Sequence, residues 1–445
     1  MAKRNILPND APFWLTEEMK INELEYCSDF LQRHPMKCIH GNFFTVDGMV
    51  PDEQSLKQEI FDEISPWLDS RVARRVDDLL NAMRLMAYSE EIPLHYDRIH
   101  LKNGTWFLGG TFQEKKDYCR NRLEVAYDAD AGIPTVWLQF LSDLLREEDI
   151  PTLQEYLGYC LIPSTKAQKM LMLIGKGGEG KSRIGLIMRA LLGINMNMTS
   201  IQKIETNRFS RADLENRLLM VDDDMDMSAL PKTNYIKSIV TSECKMDVER
   251  KGIQSYQSLL YVRFLCFGNG ALTALHDRTD GFYRRQIVLT TRDKPIDRVD
   301  DPFLVEKMIA EKEGILLWCL EGLQRLIGNN YRFTISQRAK ENISSAVKNA
   351  NNIIDFFASD GYLTFCEDCE ESTKGLYDAY RNWCEDNAEI ILSAKSFANH
   401  LAQYAESYHL IPDNNIYIGK GKRCRGYKGV QAIDHSNPFL EDNRK

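Results

Sequence analysis

Between Lys169 and Thr291 the chain alternates short apolar runs with polar stretches. The runs Met170–Ile174, Leu218–Val221, Leu259–Phe267 and Gln286–Leu289 are each bounded by charged residues or glycine. Continuous apolar runs of this length predict buried strands of an α/β core. Upstream, Pro134–Cys160 places Val136, Leu138, Phe140, Leu141, Leu144, Leu153, Tyr156 and Leu157 on one or two faces of a helical stretch. Residues 1–130 mix helical patterns with strand-like runs such as Phe43–Val46 and Thr105–Leu108, with no repeat and no low-complexity segment. Beyond Pro302 the pattern is helical to Ala358. The last hundred residues read as two helices, Leu376–Trp383 and Lys395–Tyr404, with a start signal at Ser393, and then a strand pair around Ile416–Ile433. The predicted segments are therefore an accessory region 1–130, a helical stretch 131–165, an α/β core 166–300, a helical extension 301–358 and a C-terminal domain 359–445.

With 445 residues, 43% hydrophobic and 27% charged, the chain has the composition of a folded protein of several domains. No apolar run approaches the roughly 20 residues of a membrane span. The N-terminus carries Lys3 and Arg4 with no apolar core behind them, so no signal peptide is expected and the expected location is the cytoplasm. The net charge of −9 argues against a surface that is basic throughout, leaving local patches as candidate nucleic-acid contacts. There are two. Lys237, Lys245, Arg250 and Lys251 lie within the core, and Lys420, Lys422, Arg423, Arg425 and Lys428 follow one another near the end without an intervening acid. The eleven cysteines are odd in number and scattered, as expected of free thiols in a reducing compartment. Cys366, Cys369, Cys384 and Cys424 have the donor chemistry of a zinc site, but a second close pair is missing, so no zinc is expected.

The strongest chemistry is Gly175-Lys176-Gly177-Gly178-Glu179-Gly180-Lys181-Ser182, which fits G-x-x-x-x-G-K-[ST] at every fixed position. It follows an apolar run and precedes a helical pattern. Glycines let the backbone turn tightly, so that successive N–H groups and a helix N-terminus face an anion. Lys181 would reach the β- and γ-phosphates of ATP, and Ser182 would ligate Mg²⁺. Leu218–Val221 then delivers three carboxylates, Asp222, Asp223 and Asp224, at a strand end. One would hold the ion, with Asp222 and Asp223 taken as candidates, and another would polarise water; the sequence leaves the roles open. Asn269 ends the next apolar run, where an amide orients a γ-phosphate or its water. Arg284 and Arg285 precede the last run and are candidates for reaching a neighbouring subunit's ATP.

The order of Gly175–Ser182, Asp222–Asp224, Lys237 to Lys251, Asn269 and Arg284/Arg285 resembles the superfamily 3 helicases, above all the helicase half of phage, plasmid and poxvirus primase–helicases. Pro134–Leu141 and Leu153–Tyr159 are similar to the helical collar that precedes the ATPase in that family. The resemblance implies an AAA+ P-loop core with a C-terminal winged-helix-like domain, assembled as a hexameric ring around DNA. It also implies a hairpin that turns Arg250 and Lys251 toward the channel, with Lys237 nearby. Many relatives carry a primase in front. Tyr127-Asp128-Ala-Asp130 lacks enough preceding chain for one and reads as an incidental turn, so a primase would be a separate partner. The function implied is an ATP-dependent DNA helicase of a replication system. An origin-melting initiator and an ATP-gated assembly switch remain as alternatives.

Overall fold

The computed structural model describes residues 10–225, 233–242, 244–269, 283–295, 300–350, 352–389, 391–417 and 423–433. Two compact units are present: Met1–Ala271 with Thr279–Asn342, and Leu272–Arg278 with Ile343–Lys445. Among the described residues no helix is long and apolar enough to cross a membrane.

The first unit opens with helices Glu23–Arg33, Glu53–Ile64 and Val72–Met86. Asn22 and Asp52 cap the first two by accepting from the backbone N–H of Glu25 and Gln54. Their apolar faces meet over Tyr26, Phe30, Ile60, Ile64, Leu79 and Met83. Two small antiparallel sheets accompany them, β1 (Lys37–Ile39), β2 (Asn42–Thr45) and β3 (Gly48–Met49), then β4 (Arg98–Leu101), β5 (Gly104–Phe107) and β6 (Phe112–Gln113).

The core sheet comprises β7 (Met170–Gly175), β8 (Met196–Met198), β9 (Leu219–Met225), β12 (Arg263–Asn269) and β13 (Gln286–Thr290). Its order is β13-β7-β12-β9-β8, and every neighbouring pair is parallel. Strands β7 and β12 are buried along almost their whole length, which explains their unbroken apolar sequence. Between β9 and β12 a two-stranded hairpin, β10 (Met246–Arg250) and β11 (Ile253–Ser258), forms a sheet of its own.

Helices Thr135–Leu144 and Ile150–Tyr159 precede the sheet, and Lys312–Gly328 follows it. Ile150–Tyr159 and Lys312–Gly328 touch backbone to backbone at two glycines. A methyl at Gly158 would overlap the Cys319 carbonyl, and one at Gly322 would lie 2.5 Å from the Gln154 carbonyl oxygen. Glu155, wholly buried, fastens the same contact by accepting from Arg325 Nε at 2.7 Å and from Thr334 N at 2.7 Å.

The second unit runs helix Asn352–Ala358, β14 (Leu363–Ser372), helices Thr373–Asp386 and Ala394–Tyr404, then β15 (Ile411–Tyr417) and β16 (Arg423–Ala432). The sheet order is β14-β16-β15, all antiparallel. Its core gathers Ile353, Phe356, Tyr380, Trp383, Phe397 and Val430, so the helix before Ala358 packs with this unit. Strand β14 is absent from the apolar pattern because a run of it, Thr364-Phe-Cys-Glu-Asp368, faces solvent. Cys366 and Cys369 are joined as a disulfide, a correction to the expectation that all cysteines are free. Cys384 is buried in the core of this unit and receives a contact from Asn352.

Candidate nucleotide site

The loop between β7 and helix Ser182–Leu192 wraps into a cradle with Gly177, Gly178 and Gly180 at φ of +106°, +80° and +107°. Only glycine adopts these angles without strain. Gly175 is pressed from three sides: an added Cβ would meet Thr291 Oγ1 at 2.5 Å, Glu179 Oε1 at 2.8 Å and Lys181 Nζ at 2.8 Å. The cradle is therefore closely built, and a side chain at that position would displace Thr291, Glu179 or Lys181.

Lys181 is 6% exposed. Its Nζ donates to Glu179 Oε2 at 2.8 Å and to Asn269 Oδ1 at 2.9 Å. Asn269 stands at the end of β12, beside Gly175 at the end of β7 in parallel register. Its Nδ2 donates in turn to Asp224 Oδ1 at 3.4 Å. Loop lysine, strand-end amide and strand-end carboxylate thus form one hydrogen-bonded group at the C-terminal rim of the sheet, where ligands of parallel sheets bind.

The three acids differ. Asp222 is 4% exposed and accepts from Ile201 N at 2.7 Å, at the start of helix Ile201–Thr206. Burial pushes its carboxyl above the ordinary value, against these backbone hydrogen bonds. Asp223 and Asp224 are exposed. Of the candidate metal residues Ser182, Asp222 and Asp223, the structure leaves Ser182 and Asp223 exposed and buries Asp222 against Ile201, while Asp224 is the acid beside Asn269. Ser182, Asp223 and Asp224 are hard oxygen donors on accessible side chains. They suit Mg²⁺, which takes one or two carboxylates and completes its shell with water and substrate phosphates.

Arg284 and Arg285 lie at the opposite rim. Gln286, the next residue, pairs with Met170 at the start of β7. The five steps of β7 from Met170 to Gly175 put them roughly 17 Å from the cradle at ~3.3 Å per residue. Arg284 is exposed and its carbonyl accepts from Lys169 Nζ, while Arg285 is half-buried. Neither joins the cluster around Lys181.

The chain shares the fold of the NrS-1 C-terminal region. The apo structure of that region (305–718) is 10% identical with a TM-score of 0.53, covering 92% of this chain and 100% of that one. Its A form is 11% identical with a TM-score of 0.52, covering 91% and 98%. A model of a family of unknown function, DUF5906, matches residues 173–285, from within β7 to Arg285. No curated protein matches the chain.

The NrS-1-like fold places the remaining candidates outside this cluster. The hairpin β10–β11 turns at Lys251 and Gly252, and Lys251 is exposed at its tip. Arg250 instead bonds Glu215 Oε2 at 2.7 Å, and Tyr256 and Ser258 donate to the same carboxylate. Arg250, next to the turn, is therefore ion-paired with Glu215 in this structure, whereas Lys251 is not placed against that carboxylate. Lys237, on helix Asn234–Val240, is half-buried. Arg423 and Arg425 are exposed on β16, whereas Lys420 and Lys422 lie outside the described residues. Asp128 and Asp130 sit in an exposed turn in which Asp130 N donates to Asp128 Oδ1 at 3.0 Å. Glu179 is one of the expected nucleotide-loop residues, but the motif assigns its side chain no role, and that carboxylate turns into the cradle. Glu215 was missed as well, since nothing near it in sequence marks it as an anchor.

Proposed function

We propose that this chain is an Mg²⁺-dependent ATPase motor acting on DNA, with an AAA+ core of the superfamily 3 type. The observation that carries the proposal is the Lys181–Asn269–Asp224 group at the C-terminal rim of a parallel sheet ordered β13-β7-β12-β9-β8. In such a core the γ-phosphate lies between the loop lysine and the two strand ends. Lys181 offsets the charge that grows on the transferring phosphoryl group. Asn269 orients the attacking water, and Asp224 or Asp223 draws its proton. Bound Mg²⁺, held by Ser182 and an exposed carboxylate, would supply charge neutralisation on the phosphate oxygens.

Arg284 and Arg285, distant from their own cradle, suit a finger that serves the next subunit of a ring. Lys251 at the hairpin tip and the exposed Arg423 and Arg425 are cations suited to DNA phosphates. The helix–strand–helix–helix–strand–strand order of the second unit, with β16 central, supports a winged-helix reading for DNA contact. A replication helicase is the reading favoured; an origin-melting initiator shares every one of these parts.

The deciding experiment measures ATP hydrolysis with and without DNA beside strand displacement. Wild-type chain should hydrolyse ATP faster with DNA and separate strands, and Lys181→Ala should do neither. Turnover unimpaired in Lys181→Ala would overturn the site, and stimulated hydrolysis without unwinding would favour the initiator.

A further inference from the structure

The phosphate cradle of this chain already holds an anion of its own. Glu179 folds back over the loop that carries it. Its Oε1 accepts from Lys176 N and, at 2.9 Å, from Gly177 N, while Oε2 takes Lys181 Nζ at 2.8 Å. The carboxylate is 4% exposed. Two successive backbone N–H groups and the loop ammonium are the donors that a P-loop offers to phosphate. Glu179 engages all three, with Lys181 Nζ shared between it and Asn269.

We propose that Glu179 is a built-in competitor for the cradle, a carboxylate that must leave before a nucleotide's phosphates can enter. The inference rests on the nucleotide-binding reading above and adds its regulation. A second observation gives the carboxylate somewhere to go. Glu179 also lines a cavity of about 410 Å³ walled by Phe140, Asp143, Leu304 and Arg183. The Arg183 Nη1 atom is buried and makes no hydrogen bond among the described residues. Rotation of the Glu179 side chain exchanges Lys181 for Arg183 as its counter-charge. The carboxylate then stays paired while the loop donors are released.

Occupancy of the cradle by Glu179 lowers the apparent affinity of every phosphate ligand by the fraction of molecules in which it is vacant. Hydrogen bonds to a charged partner are stronger than neutral ones, so removing the charge should tighten binding by about 10-fold.

The test uses the full chain and a fluorescent ATP analogue with Mg²⁺, titrated into wild type, Glu179→Gln and Lys181→Ala. Glu179→Gln should bind about 10-fold more tightly, and inorganic pyrophosphate should displace the analogue from it at correspondingly lower concentration. Lys181→Ala should lose binding. Equal or weaker binding by Glu179→Gln, with Lys181→Ala defective, overturns the competitor and leaves the nucleotide site standing. Lys181→Ala binding like wild type overturns the nucleotide reading, and the competitor with it. A measurement on wild type alone guards against a variant that fails to fold: amide hydrogen exchange at Lys176 and Gly177 without nucleotide. Slow exchange that ATP analogue leaves slow is expected, because one anion replaces another. Exchange at the rate of an unprotected loop overturns the proposal.

Discussion

Among the described residues Arg263 has no carboxylate partner, yet it is 2% exposed at the start of β12. Its guanidinium collects carbonyls. Nη1 donates to Ser164 O at 2.8 Å and Tyr261 O at 2.6 Å, and Nη2 to Ile162 O, with the ring of Tyr159 5.1 Å from the charge. Ile162 and Ser164 lie in the turn that follows helix Ile150–Tyr159, so Arg263 satisfies buried carbonyls of that turn rather than of the helix itself. Arg263→Met should cost about 2–4 kcal/mol, because it leaves several buried acceptors unsatisfied. Urea unfolding of the two proteins checks this, and a loss well under 1 kcal/mol would mean that water replaces the guanidinium.

At this scale the sequence is legible where chemistry and spacing coincide, as at Lys181 and Ser182. It is least legible where orientation decides. Asp222, Asp223 and Asp224 are equivalent as letters. They separate only because Ile201 takes the first, while the pairing of β9 with β12 shifts between Cys266 and Gly268, opposite the others.

The hairpin β10–β11 shows the same division among elements. Its basic residues mark it, but Glu215, at least thirty positions before any residue it holds, makes Arg250 a structural member and leaves Lys251 exposed at the tip. Two substitutions should therefore part company. Lys251→Ala should leave stability unchanged and flatten the dependence of log K on log salt by about 0.7 on single-stranded DNA. Arg250→Ala should cost about 1 kcal/mol of stability, since Glu215 loses one of three donors. Titration of labelled oligonucleotide at several salt concentrations, beside thermal melts, reads both; identical behaviour of the two variants would refute the assignment.

Buried strands were legible because an element covered on both faces needs an unbroken apolar run. Strand β14 was not, because its exposed run carries acids and a disulfide cysteine where the alternation should be.

For the whole molecule, the parallel sheet sorts its charged groups by rim. Lys181, Asn269 and Asp224 are at one end, and Arg284 and Arg285 are at the other. If each cradle is completed by a neighbour, Arg284→Ala and Arg285→Ala should lower hydrolysis by about 10³–10⁵. Mixing either with Lys181→Ala should recover part of the activity, since one subunit keeps its cradle and the next keeps its arginines. Hydrolysis measured across mixing ratios, with mixed assembly verified by differential tags, tests this. No recovery at any ratio would count against a shared site.

The glycine pair, finally, sets the size of the smallest piece of this chain worth isolating. Gly158 precedes the sheet and Gly322 follows it, and each lies against the other helix's backbone. Ser336 adds a further tie beyond them, donating to Asp149 at 2.6 Å. A fragment cut to residues 173–285, where the family model matches, would lack both helices of that seam and leave bare the sheet surface they cover. Cloning boundaries drawn outside Thr135 and Ser336 keep it closed. The seam also leaves the long intervening stretch as the region in which insertions must bulge outward, into loops, rather than pry the ends apart.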